Sequence, residues 1–140
     1  MDAGRRPSLV AYRACARLAE GPVWEDTELL VKLLYELFSA ELATHKGRIA
    51  TIAISKVMRR HLRRCPPQYP TLLSVIGSEL RTLCKEPRPP FLRYNGGRAA
   101  VKDLLGRIWV MQDVWSGSGL RRKSDGIRRT VLTIRFARVS

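Results

Sequence analysis

Apolar side chains recur at intervals of three and four residues through the segment that follows Thr27. These positions are Leu30, Leu33, Leu34, Leu37, Phe38 and Leu42. Because this spacing places side chains on one side of a helix, it predicts an amphipathic helix whose apolar side lies in a core. The polar positions expected to face solvent are Glu28, Lys32, Glu36 and Glu41.

Three more segments carry the helical spacing: Ser8 to about Ala19, Thr51 to Arg64, and Pro70 to Lys85. Ser and Thr are favoured N-caps, and Pro is favoured in a first helical turn, so Ser8, Thr51 and Pro70 mark the expected starts. A short extended step at Arg48 to Ala50 is expected before the second of these helices. Adjacent prolines at 66 and 67 end that helix.

The last third of the chain turns to strand patterns. Phe91 to Tyr94 predicts a strand that enters a tight turn at Asn95, Gly96 and Gly97. We interpret Arg98 to Leu105 as an irregular connection with helical character, and Gly106 to Val110 as a strand. The alternation from Arg129 to Val139 predicts a final strand.

This order of elements resembles the winged helix-turn-helix superfamily of DNA-binding domains. The resemblance spans roughly Thr27 to Val114, with Thr51 to Arg64 as the second helix, Pro70 to Lys85 as the recognition helix and Phe91 to Val110 as the wing. It implies an α+β, mainly helical fold with a three-helix core, a small β-hairpin or sheet, an extra N-terminal helix and a C-terminal strand. The expected divisions are an N-terminal helical arm (1–22), the winged-helix-like domain (23–115), and a basic loop with the final strand (116–140).

Charge then points to the class of partner. The formal net charge is +14, and 20 of the 26 cations are arginine, whose planar guanidinium suits phosphate. The stretch from Gly47 to Cys65 contains six cations and no acid, whereas residues 20–46 carry a net charge of −4. This asymmetry predicts an oriented interface with a polyanion, and nucleic acid is the first hypothesis.

The candidate contacts fall into four groups. Those of the second helix and the step before it are Arg48, Lys56, Arg59, Arg60, Arg63 and Arg64. Those that the resemblance assigns to the recognition helix and its approach are Gln68, Tyr69, Thr71, Ser74, Ser78 and Arg81. Those that it assigns to the wing are Arg93, Arg98 and Lys102. Those of the segment from Ser116 onward, which is composed like a flexible basic loop, are Arg121, Arg122, Lys123, Arg128 and Arg129.

Other chemistry finds little support. Cys15, Cys65 and Cys84 do not suggest a disulfide framework, and no metal-ligand or catalytic motif is present, so we predict a non-enzymatic protein without cofactors. The chain shows neither a secretory leader nor a membrane span, so an intracellular setting, cytoplasmic or nucleoid-associated, is expected. Core packing is the expected role of Trp109, while Trp115 is the more plausible exposed ring.

The leading hypothesis is duplex DNA binding in transcription regulation or in a chromosomal or viral DNA complex, with a possible homodimer or larger nucleoprotein assembly. An RNA-binding component of a ribonucleoprotein is the first alternative, because arginine-rich segments suit it equally. A protein-interaction module that uses the acidic, Leu-rich helix 27–42 is the second.

Overall fold

The computed structural model describes residues 6–21, 23–63, 69–118 and 130–140. The four α-helices of this part are α1 (Pro7–Ala19), α2 (Thr27–Ala43), α3 (Ile54–His61) and α4 (Tyr69–Lys85), and a single 3-10 turn, Val23–Glu25, precedes α2. The strands are β1 (Ile49–Ala53), β2 (Leu92–Tyr94), β3 (Arg98–Lys102), β4 (Ile108–Ser118) and β5 (Thr130–Arg138). The fold is therefore α+β, as predicted.

All five strands belong to one antiparallel sheet in the order β1-β5-β4-β3-β2. The sheet is larger than the small sheet expected from the sequence, and the C-terminal strand β5 lies inside it, between β1 and β4. Ala50 and Ile52 of β1 pair with Phe136 and Ile134 of β5, so these four side chains share one face. We call it the inner face, and the opposite one the outer face.

The inner face and the helices enclose the core. Phe38 of α2 meets Phe136 edge to face at a centroid distance of 5.1 Å, a favoured aromatic geometry. The Leu-rich side of α2 is buried as predicted. The N-terminal helix α1 packs on α2 and contributes Ala14 and Leu18 to the same core.

The start of α2 shows how the sequence fixes a helix boundary. The Asp26 carboxylate accepts a hydrogen bond from the Leu29 amide at 3.1 Å, which satisfies one of the free donors of the first turn. At α1 the expected cap is wrong. Arg6 occupies the N-cap position and makes no side-chain cap, while Pro7 begins the helix.

The predicted start of α3 at Thr51 is also wrong, because residues 51–53 continue β1 and the helix starts at Ile54. Alternate residues of β1 are buried, and its backbone pairs with β5 through Ala53. The helix ends at His61, where Leu62 turns to extended backbone. Arg63 therefore lies beyond α3, and Arg64 falls outside the described residues.

Arg98 to Lys102 is a strand and not an irregular, partly helical connection. This strand, β3, pairs with β2 on one side and β4 on the other, and Ala99 and Val101 are fully buried on the inner face. Sheet pairing has overridden the helical preference of its alanines. Strand β4 also runs further than predicted, to Ser118, while the rest of the predicted basic loop lies outside the described part of the chain.

Candidate nucleic-acid interface

The exposed side of α3 carries the charge that the sequence singled out. Lys56, Arg59 and Arg60 are exposed, while Ile54, Val57 and Met58 are buried beneath them. The apolar side packs on the sheet at β1 and β5. Amphipathic spacing thus holds these cations outward on a well-packed support.

Arg60 differs from its neighbours because it has an acidic partner. Its guanidinium donates a hydrogen bond to the Glu41 carboxylate at 2.9 Å, and the Nε2 atom of His61 lies 3.4 Å from the same carboxylate. Glu41 was expected in solvent, but it is only 7% exposed. The pair links α3 to the C-terminal end of α2, so Arg60 has a structural role.

For Lys56, Arg59 and Arg63, no salt bridge to a carboxylate occurs among the described residues. Arg59 lies in the last turn of α3, where the helix dipole favours a cation. Lys56 lies in the first turn, where the dipole opposes one. Stabilisation of the helix therefore does not explain Lys56.

Strand pairing shows which end of the sheet lies next to the start of α3. Ala53, which leads into α3, pairs with Thr133, while Ser118 pairs with Thr130. Ser118 and Thr130 therefore lie at the end of the sheet where α3 begins, which we call the loop end. Arg81 of α4 reaches this end as well, because its guanidinium donates to the Ser116 hydroxyl at 3.0 Å.

Helix α4 presents a polar side at positions three and four apart. Thr71, Ser74, Ser78 and Arg81 are all exposed, whereas Leu72, Ile76 and Leu80 are buried against the rest of the core. The helix packs on β3 and β4. The polar side from Thr71 to Arg81 extends about 15 Å along the helix at 1.5 Å per residue.

The hairpin formed by β2 and β3 carries the predicted wing cations. Arg93, Arg98 and Lys102 are exposed, and its turn places Asn95, Gly96 and Gly97 at positive φ. Gly96 and Gly97 accept this backbone without the strain that a side chain would bring.

The remaining predicted contacts divide by position. Arg48 is exposed, at the end of the sheet opposite the loop end. Only the backbone placement of Tyr69 is described, as the first residue of α4. Those outside the described residues are Arg64, Gln68, Arg121, Arg122, Lys123, Arg128 and Arg129.

One buried charged cluster escaped the sequence analysis. Asp103 is 4% exposed and accepts hydrogen bonds from the Leu105 amide, the Arg107 amide and side chain, and the Trp109 indole, at 2.8 to 3.0 Å. Burial alone would raise the pKa of this carboxyl, but the hydrogen bonds outweigh burial and lower the pKa below 3.8. Arg107 also donates to the carbonyl of Leu42 at 2.8 Å, which ties the cluster to α2.

The two described thiols are poor nucleophiles. Burial, with a smaller effect from Glu41, raises the pKa of Cys15 to about 12. Burial and the nearby Asp113 raise the pKa of Cys84 as well. Since the thiolate is the reactive form, neither group is prepared for covalent chemistry. No metal-binding group of three or more His, Cys, Asp or Glu occurs within the described ranges.

Two further observations concern other classes of protein. In the described ranges, no helix combines the length and the apolar run that a membrane crossing needs. The Leu-rich side of α2 is buried inside the chain, so the protein-interaction hypothesis retains only the polar positions of that helix. No family model, curated protein or solved structure matches the sequence or the fold.

Proposed function

We propose that this is a non-enzymatic nucleic-acid-binding protein that engages duplex DNA through α3, α4 and the loop end of the sheet. The observation that carries the proposal is the set of exposed cations Lys56, Arg59 and Arg63, which form no salt bridge with any described carboxylate. Mutual repulsion between these groups is reduced when a polyphosphate neutralises them. The predicted contacts Arg121, Arg122, Lys123, Arg128 and Arg129 lie outside the described residues, between the paired Ser118 and Thr130 in the sequence.

Duplex DNA is favoured over RNA because of α4. A recognition helix needs polar side chains along one exposed side, and α4 offers Thr71, Ser74, Ser78 and Arg81. The major groove of B-form DNA admits a helix, whereas that of an RNA duplex is too narrow. The order α2, β1, α3, α4, then the β2–β3 hairpin also follows the winged-helix order, so we propose α4 as the groove helix and the hairpin as the wing.

The test replaces Lys56, Arg59 and Arg63 together by Gln and measures binding of a labelled DNA duplex by fluorescence anisotropy at several salt concentrations. If the protein engages about six phosphates, log K should fall with log salt at a slope near −5. The triple variant should show a slope shallower by about three, since each contact contributes roughly 0.9. Arg60 is left in place because its removal would leave Glu41 buried without its partner.

A matched control changes net charge by the same amount at positions outside α3, α4 and the loop end. Arg6, Arg13 and Lys32 are exposed on α1, its N-cap and α2, and their replacement by Gln should leave the slope within about one of the original. A parent slope shallower than about −2, or equal weakening by both triple variants, would contradict the proposal.

A further inference from the structure

The outer face of the sheet combines exposed aromatic and cationic side chains. The paired positions Trp115↔Thr133 and Asp113↔Arg135 lie on this face, opposite Met111 and Phe136. Trp115 is 40% exposed, whereas Trp109, six residues earlier in β4, is fully buried on the inner face. The bulge in β4 between them places the two rings on opposite faces. A large apolar ring held at a strand surface is suited to stacking.

Arg135 completes this feature. Its guanidinium lies over the Trp115 ring at 5.8 Å from the centroid, within the range of a cation–π contact. It also lies 3.5 Å from the Asp113 carboxylate. Arg135 therefore contacts both the Trp115 ring and the Asp113 carboxylate on this face.

A pocket on the same face continues the surface along β4. The paired residues Val110 and Ala137 belong to it, and Tyr94, Arg98 and Gln112 also line it. The β-bulge between Met111 and Asp113 inserts Gln112 as an extra, exposed residue of β4. Gln112 and Trp115 are three residue steps apart along β4, about 10 Å at 3.3 Å per step.

The charge of the sheet matches a polyanion. Of the five strand cations, Arg98, Lys102 and Arg135 belong to the outer face by register, whereas Arg93 and Arg138 pair with the inner-face residues Ala99 and Trp109. The one acidic residue of the strands, Asp113, is already paired with Arg135. Arg98 and Lys102 alternate with the buried Ala99 and Val101, so both belong to the outer face.

We infer that the outer face binds an unpaired strand of DNA, with one base stacked on Trp115 and a neighbouring nucleotide held by Tyr94, Arg98 and Gln112. Aromatic stacking accepts every base, while the amide and guanidinium groups contact base edges or phosphate. This site goes beyond the duplex surface of the proposed function and uses none of the α3 cations. The two can therefore fail separately.

The experiment measures binding of a fluorescein-labelled oligo(dT) of about 12 nucleotides, within the range of sheet-surface sites, and of a DNA duplex, for three variants. Trp115→Ala should lower affinity for the single strand by about 5- to 100-fold, the loss typical of one stacked base. Trp115→Phe should retain most of it. Tyr12→Ala is the matched control, because Tyr12 is a 48% exposed aromatic residue on α1.

Duplex affinity should be unchanged in Trp115→Ala and reduced in the variant with Gln at positions 56, 59 and 63. This triple variant should keep more of its affinity for the single strand than for the duplex. The inference is overturned if Trp115→Ala changes single-strand affinity by less than about twofold, if Tyr12→Ala has an equal effect, or if Trp115→Ala weakens both ligands alike. Much tighter binding of oligo(U) than of oligo(dT) would overturn the assignment to DNA.

Discussion

Arg107 and Arg59 show two different uses of the same side chain. Arg107 is only 20% exposed and donates to Asp103, whose own side chain is fully buried. Arg59 is exposed on α3 and has no described carboxylate partner. A buried cation needs its partner to offset the cost of leaving water, whereas an exposed one stays hydrated and free to meet an anion.

The difference teaches that the number of arginines says little about function until pairing and burial are known. Among the described arginines, those in salt bridges are Arg17, Arg60, Arg88, Arg107 and Arg135. Their contribution to a charged surface is partly cancelled by the carboxylates beside them. The net charge of +14 therefore does not show where uncompensated charge lies. On the short helix α3, Lys56 and Arg59 are exposed and form no salt bridge with any described carboxylate.

The largest expected effect separates these two arginines. Arg107→Ala would leave the Asp103 carboxylate buried without its ion partner and the Leu42 carbonyl without its donor. The free energy of unfolding should fall by about 3 to 5 kcal/mol, as it does when one member of a buried pair is removed. Urea denaturation, with the midpoint and slope fitted together, measures this change.

Arg59→Ala is the counterpart. We expect a change in unfolding free energy within about 0.5 kcal/mol, as for other exposed positions, together with a salt slope for duplex binding shallower by about one. Similar stability losses in the two variants would show that the exposed and buried arginines do not differ as described.

The sequence predicted one of these regions better than the other. Residue spacing alone indicated that α3 buries an apolar side and exposes Arg59, because both sides of a helix are read from neighbours in the chain. The Asp103 cluster depends on Leu42 in α2 and Trp109 in β4, contacts that no local pattern contains. The signal that was available and missed is the short apolar run from Ala99 to Val101 between two charged residues and directly after the Gly96-Gly97 turn, which is typical of the return strand of a hairpin.

Glu41 shows a different limit. It lies four residues after Leu37 and three after Phe38, so the helical spacing places it on the buried side of α2. We predicted solvent exposure from its charge, and this was wrong. The hydrogen bond from Arg60 offsets the cost of burying the Glu41 carboxylate. The sequence could not identify Arg60 as the partner, because the contact depends on how α2 and α3 pack together.

Replacing Glu41 by Gln tests a case between Arg107 and Arg59, because the Arg60 side chain is 59% exposed while the carboxylate it pairs with is buried. Loss of a charged hydrogen bond should lower the free energy of unfolding by about 1 to 3 kcal/mol. Release of Arg60 should steepen the salt slope for duplex binding by about one. Denaturation and anisotropy titrations measure the two effects on the same preparation.

Glu41→Gln should lower the stability of the fold while it steepens the salt slope of duplex binding. General damage to the fold would not produce the steeper slope. A destabilised variant with an unchanged or shallower slope would mean that Arg60, once released, does not reach the bound DNA.

The smallest expected effect is the acid dependence of stability, which should involve the Asp103 cluster and not α3. Because the folded-state pKa of Asp103 lies below 3.8, the unfolded chain takes up this proton at a higher pH than the folded chain. The resulting stabilisation is complete well above pH 3.8 and is lost as the pH falls towards the folded-state pKa.

Asp103→Asn has no group to titrate there, so its unfolding free energy should decline less steeply over this range. The variant with Gln at positions 56, 59 and 63 should show the same pH dependence of unfolding free energy as the parent, since Lys and Arg stay charged throughout. Denaturation midpoints measured from neutral to acidic pH provide the comparison, and parallel curves for the parent and Asp103→Asn would contradict the assignment.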